Sequence, residues 1–158
     1  LLSGAAVVVG RQILRVRRDE SALARLESLQ RDGEQSVADL YELGSVQLRK
    51  RLYSQATETL KRAAKRAGDE PAEARAVIEN ALGFSYAAQS NYNAAIRHYR
   101  SALQAKADYP VALNNLAFAL EKQQKGEEAR ATYQKVLELD GANRTAQKRL
   151  KRLDKLAA

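Results

Sequence analysis

Cysteine, methionine and tryptophan are missing from this 158-residue chain. Without cysteine there is no disulfide framework, no thiol nucleophile and no cysteine-bound metal. Histidine occurs once, as His98 within AIRHYRSAL. One imidazole without a thiol offers neither a metal cluster nor a nucleophile–base pair, and it reads as a surface residue. No glycine-rich phosphate loop occurs. The chain therefore reads as a non-enzyme, with no cofactor, no metal and no small-molecule substrate. Proline occurs only at Pro71 and Pro110, and phenylalanine only at Phe84 and Phe118. β-branched residues are few.

What remains is rich in Ala, Leu, Arg, Lys, Glu and Gln, all good helix formers, so the composition predicts an all-α protein. The net charge of +8 is unevenly spread. Residues 37–143 are near balance, with fifteen Lys and Arg against thirteen Asp and Glu. The last fifteen residues carry Arg144, Lys148, Arg149, Lys151, Arg152 and Lys155 against Asp154 alone. Arg11, Arg15, Arg17 and Arg18 cluster near the other end. Basic ends suit anionic lipid, an acidic partner or nucleic acid. KRLKRLDK has no interleaved aromatic residue and no reading-helix motif, which argues against nucleic acid.

A repeat organises the middle. ALGFSYAAQSNYNAAIRHYRSAL overlies NLAFALEKQQKGEEARATYQKVL at an offset of 34 residues. Leu82-Gly83 falls on Leu116-Ala117, Ala95 on Ala129, Tyr99 on Tyr133. A further unit lies 39 residues upstream, with Leu43-Gly44, Ala56 and Leu60. The units are 37–70, 76–109 and 110–143, within a domain of 36–143. The pattern resembles the tetratricopeptide repeat (TPR), a helix–turn–helix unit stacked into an α-solenoid. Gly44, Gly83 and Ala117 are small where two helices must approach. Ala56, Ala95 and Ala129 face them, and Leu60, Tyr99 and Tyr133 fill space against the next unit. The turns are expected at RKRLYS, AQSNYN and KQQKGEE. Ser36 with Asp39 reads as a helix cap, Pro71 and Pro110 as helix starts, and EPAEAR as an insertion adding about a turn. Residues 144–158 form a basic capping helix after Asn143, with Ala146, Leu150, Leu153 and Leu156 on one face.

By that resemblance the first helix of each unit lines a concave groove. The expected partner-binding residues are Tyr41, Leu48, Arg49, Asn80, Phe84, Asn114, Phe118, Glu121, Lys122, Lys148 and Arg152, with Val77, Ala88 and Val111 beside them. Phe84 and Phe118 are 34 residues apart and so equivalent. Two readings are open: an aromatic floor, joined by Tyr41, that grips a partner's apolar segment, or packing on neighbouring first helices. Some TPR domains hold acidic chaperone tails with a clamp of Lys, Asn and Arg. The matching places here hold Tyr41, Ser45, Ala81, Val111 and Asn115, so that clamp is effectively absent.

The opening LLSGAAVVVG is too short to span a bilayer, which needs about 20 apolar residues. Its charges follow the apolar run, the wrong order for a secretory signal. Residues 1–35 are therefore expected to be the last turns of a transmembrane helix that begins upstream, followed by a stalk through Val16, Leu23, Leu26 and Leu29. Arg11, Arg15, Arg17 and Arg18 would then lie at the membrane surface, with the repeats on the cytoplasmic or stromal side. Together with YELGSVQL, NALGFSYAAQ, ALNNLAFALE and RTAQKRLKRL, this layout resembles the photosystem I assembly TPR proteins of cyanobacteria and chloroplasts. The resemblance implies a thylakoid scaffold that binds photosystem I subunits or intermediates. The alternative is a TPR adaptor for another membrane-associated or soluble complex.

Overall fold

A computed structural model describes the backbone of residues 2–33 and 35–157 and the side chains of Val8 and of residues 11–29, 33 and 35–156. The described residues form eight α-helices: α1 (Leu2–Asp32), α2 (Val37–Arg49), α3 (Tyr53–Arg66), α4 (Ala72–Ala88), α5 (Tyr92–Ala105), α6 (Pro110–Lys122), α7 (Gly126–Leu139) and α8 (Arg144–Ala157). A short 3-10 turn, Ala67–Asp69, follows α3. Each helix packs chiefly on its sequence neighbours, and α4 also touches α2 and α6. A chain of neighbour contacts is the signature of a solenoid.

The helix boundaries follow local chemistry. The Ser36 Oγ accepts from the Asp39 N–H at 3.1 Å, and the Asp39 carboxylate accepts from the Ser36 N–H at 3.0 Å. This reciprocal box satisfies donors that a helix start leaves open. Pro110 begins α6, where its missing N–H costs nothing. Helix α4 has 17 residues against 13 in α2 and α6, so the EPAEAR insertion is accommodated as about one extra turn.

The turns inside the three pairs share a device that composition conceals. Arg51, Ser90 and Gln124 each adopt a left-handed backbone, with φ of 60°, 61° and 59°. In each, the next N–H reaches back across the helix end: Leu52 to the Gln47 carbonyl, Asn91 to Tyr86, Lys125 to Leu120, at 2.9, 2.9 and 3.0 Å. This closure usually employs glycine, because a Cβ there costs roughly 1–2 kcal/mol. Its recurrence in every unit shows that the three-residue turn outweighs that local cost.

Close approach within each pair depends on a missing side chain. A Cβ on Gly44 would lie 2.6 Å from Leu60, and one on Gly83 would lie 2.7 Å from the Tyr99 ring. Leu60, Tyr99 and Tyr133 are buried, as are Ala56, Ala95 and Ala129. The core therefore runs as a line of large residues seated in small-residue notches.

Two expectations need correction. The segment after the arginine cluster is no free stalk. Leu26 is fully buried, and the Gln35 side chain donates to its carbonyl at 2.9 Å. Arg25 pairs with Glu42 at 2.7 Å, and Lys50 with Glu20. The second half of α1 thus covers α2 as a preceding repeat helix would, because the exposed end of a solenoid needs a lid. Among the described residues, no helix is long and apolar enough to cross a membrane. The backbone of α1 is helical from Leu2, but most side chains of LLSGAAVVVG, and Leu1 altogether, lie outside the described residues. At the other end Ala146 is buried and Leu150 and Leu153 pack on the core, whereas Leu156 is 73% exposed. The apolar seam of α8 therefore stops a turn early.

Candidate partner-binding face

Since α4 touches both α2 and α6, the first helices form a continuous inner layer. The sequence-derived site residues are distributed over it unequally. Phe84 is 46% exposed. Its counterpart Phe118 is half-buried, with the Lys122 ammonium 5.4 Å and the Arg149 guanidinium 4.9 Å from its ring centre. Both distances suit a cation over an aromatic face. The equivalent phenylalanines are thus one bare ring and one ring under two cations.

Asparagines knit the layer. Asn115 donates to the Asn80 Oδ1 at 3.0 Å, and Asn114 donates to the Asn143 Oδ1 at 3.2 Å. The Asn143 Oδ1 also accepts from the Ala146 N–H at 3.1 Å, capping α8. That second bond fixes the orientation of both amides. It leaves the Asn114 Oδ1 buried with no donor.

Other expected groove residues are engaged elsewhere. Tyr41 and Leu48 pack against the core of the first pair. Arg49 grips Asp19 of α1, with Nη2 to Oδ1 at 2.7 Å and Nε to both oxygens at 3.2 Å. Glu121 is nearly buried, accepts from the Tyr133 hydroxyl at 2.7 Å and lies 3.6 Å from Arg149. Burial, reinforced by that carboxylate, holds the Tyr133 phenol far above its ordinary range. Lys148 and Arg152 are exposed on α8 and, with Thr145 and Arg149, line a pocket of about 380 Å³.

His98 also departs from expectation. It is half-buried, stacks on Tyr86 with ring centres 5.3 Å apart, and its Nδ1 lies 2.8 Å from the Glu79 carboxylate. It pins α5 to α4 and is not a free surface residue. Arg149 was the larger omission from the expected groove. A signal for it existed: three residues after Ala146 and one before Leu150, it must face α6 and α7.

The Asp19–Arg49 contact makes α1 docking sensitive to acid. The Arg49 hydrogen bonds hold the Asp19 carboxyl below its ordinary value, and Ser36 does the same for Asp39. A depressed carboxyl contributes stability above its unfolded pKa, about 3.9, and that contribution is lost as pH falls through the folded value. Docking of α1 is therefore expected to weaken below about pH 4. An NMR titration of Asp19 should give a low midpoint that Arg49→Gln returns to normal. An ordinary midpoint in the unaltered protein would contradict the contact.

Comparison with known proteins fits this geometry. The Tetratricopeptide repeat family model matches residues 86–153. The ycf37 protein of Guillardia theta is 32% identical over 129 residues, covering 80% of this chain and 72% of that one. The chain belongs to the ycf37 family of tetratricopeptide-repeat proteins. Another relative of this ycf37-family chain is the chloroplastic Tetratricopeptide repeat domain-containing protein PYG7 of Arabidopsis thaliana. It is 32% identical over 150 residues, or 94% of the chain. The chain spans 49% of that protein's length. Among solved structures, the MamA RS-1 ArsTM double mutant superposes with a TM-score of 0.80 at 17% identity, over 94% of this chain and 81% of that one. At that identity the likeness shows the fold alone. The fold is a protein-interaction scaffold, a class that is typically non-enzymatic.

Proposed function

We propose that the chain is a TPR scaffold that binds photosystem I subunits or assembly intermediates beside the thylakoid membrane and promotes their assembly or stability. The observation that carries a binding role is the inner layer of first helices with Phe84 bare at its centre. An exposed aromatic flanked by polar residues is the usual form of an anchor for a partner's apolar segment. The photosystem side rests on the sequence resemblance and on kinship with a chloroplastic relative over nearly the whole chain.

The tether belongs to the same reading. Residues 11–18 of α1 are exposed throughout, and Ile13, Leu14 and Val16 alternate there with Arg11, Arg15, Arg17 and Arg18. Apolar residues beside arginines suit the boundary between headgroups and acyl chains, each arginine near an anionic surface contributing about 1 kcal/mol. The repeats would then face the cytoplasm or stroma. Holding the scaffold at the membrane raises its local concentration, so modest affinity suffices.

The test is capture from gently solubilised thylakoid membranes by the tagged protein, with mass spectrometry of the bound chains. Photosystem I core subunits are expected, and Phe84→Ala with Phe118→Ala should reduce their recovery roughly tenfold while the helical signal persists. Recovery of an unrelated complex would instead identify the chain as an adaptor for that complex. Equal recovery by the double variant would remove the aromatic face from the account.

A further inference from the structure

Helix α1 runs past the end of α2 at the edge where the helices of each pair turn. Asp19 pairs with Arg49, Glu20 with Lys50 and Arg25 with Glu42, so residue numbers rise along α1 as they fall along α2. The two helices are therefore antiparallel, and α2 ends opposite Asp19. Arg15 and Arg11 come four and eight residues earlier in α1, about 6 and 12 Å farther along its axis. At this shoulder Gln12, Arg15, Val16 and Asp19 line one pocket with Arg49 and Lys50. The exposed Arg51 follows in the turn. The arginines of α1 and the RKR of the α2–α3 turn are distant in sequence and adjacent in space. Residues 11–20 and 49–51 hold seven bases against Asp19 and Glu20, a surplus of five.

The rest of this edge adds no opposing charge in its turns. Ser54, in the first turn of α3, donates to the Gln89 Oε1 at 3.2 Å, which sets the α4–α5 turn beside the α2–α3 turn. The connections within the three pairs, 50–52, 89–91 and 123–125, contain Lys50, Arg51 and Lys125 and no carboxylate. The connections that follow α3, α5 and α7, at the other ends of the helices, contain Asp69, Glu70, Asp108 and Asp140 against Lys106. An anionic surface attracts the first set of turns more than the second.

Resting on the tether proposed above, we infer that the α2–α3 turn is a second membrane contact, at which Lys50 and Arg51 meet the anionic lipid headgroups that receive the arginines of α1. The repeats then lie with their intra-pair turns toward the bilayer and the connections between pairs away from it. The spacing along α1 permits this. A surface that holds Arg15 lies about 6 Å from the end of α2, less than the Debye length of about 8 Å at physiological salt, so it also acts on Lys50 and Arg51. The occupant follows from the apolar residues of the same stretch. Ile13, Leu14 and Val16 are exposed among the arginines. A bilayer offers acyl chains directly beneath its phosphates and so accommodates both kinds of side chain, whereas an acidic protein surface would match the arginines alone.

The experiment uses the whole chain with vesicles of phosphatidylglycerol in phosphatidylcholine, and with vesicles of phosphatidylcholine alone. The chain lacks cysteine, so Gln55→Cys and Gly68→Cys each admit a single dye. Gln55 lies in the first turn of α3 and Gly68 in the connection after it, and both are exposed. Anionic vesicles whose headgroups carry a quencher are expected to dim the dye at Gln55→Cys several times more than the dye at Gly68→Cys. Arg51→Gly should weaken binding to anionic vesicles about fivefold, the effect of one base near such a surface. Arg51 has a left-handed backbone that glycine adopts freely, so the variant's melting temperature should be equal or higher. Equal quenching of the two dyes, or unchanged binding by Arg51→Gly, would overturn the inference and leave α1 as the sole tether. Equal binding to phosphatidylcholine alone would overturn it too. So would capture of poly-glutamate with both vesicles ignored, which would give the basic shoulder to an acidic protein. Binding to neither vesicle would remove tether and second contact together, and recovery of photosystem I subunits in the capture experiment would still uphold the scaffold.

Discussion

Tyr99→Ala is expected to cost about 3–5 kcal/mol, a large part of the roughly 5–15 kcal/mol that holds a domain together. The Tyr99 ring occupies the notch that Gly83 leaves open, and it belongs to the cluster of Leu113, Leu116, Ala117 and Leu120 in the next pair. It is therefore shared by two units. Removing it leaves a cavity that Ala95 and Gly83 are too small to fill. In a solenoid, stability is a sum of unit terms and neighbour terms, so a weakened junction should also divide the molecule. Urea unfolding followed by circular dichroism is expected to show a lower midpoint and a broader or two-stage transition. Tyr99→Phe, which keeps the ring, should retain most of the stability. A single transition at the original midpoint for the alanine variant would show that the α5–α6 junction is held by something else.

Leu26→Ala tests whether α1 is lid or stalk. Leu26 has no exposed surface, and deleting such a side chain costs about 2–5 kcal/mol. The Arg25–Glu42 pair beside it is largely exposed, and such a pair contributes only about 0–1 kcal/mol. Packing at Leu26 is thus the main hold on this end, and its loss should release α1 while α4–α8 remain folded. Native-state hydrogen exchange should report faster opening of α1 and α2 and little change at α6 and α7. Uniform exchange in variant and parent would restore the stalk.

Much of the repeat region was legible because its physics is positional. A notch at Gly83 and a ring at Tyr99 must recur wherever two helices cross in the same way, and the 34-residue offset exposes them. Ser36 and Asn143 were legible for a similar reason, since a cap depends on residues three apart. The lid was not. Leu23, Leu26 and Leu29 make the same stripe whether they face α2, a lipid or nothing, and one sequence cannot distinguish those neighbours. The left-handed turns were hidden because Arg51, Ser90 and Gln124 stand where glycine would announce them. Glu121 and Arg49 matched groove positions by register, yet each found a closer partner in Tyr133 and Asp19. Register specifies which way a residue leaves its helix. It does not specify what meets it.

A continuous α1 has a further consequence, which is one of phase. Its 31 residues extend about 46 Å at 1.5 Å each, and Leu26 clasps only its second half. The helix therefore behaves as a spar rather than a string. A string would let the Phe84 face sample every direction, whereas a spar held at its far end, as the proposed tether would hold it, would give it one bearing. Because successive residues turn by about 100°, inserting one alanine near Arg18 would swing that bearing by more than a quarter turn. Inserting seven, close to two full turns, would nearly restore it. Recovery of binding at seven added residues, after loss at one or two, would be the mark of a protein that aims its groove as well as delivering it.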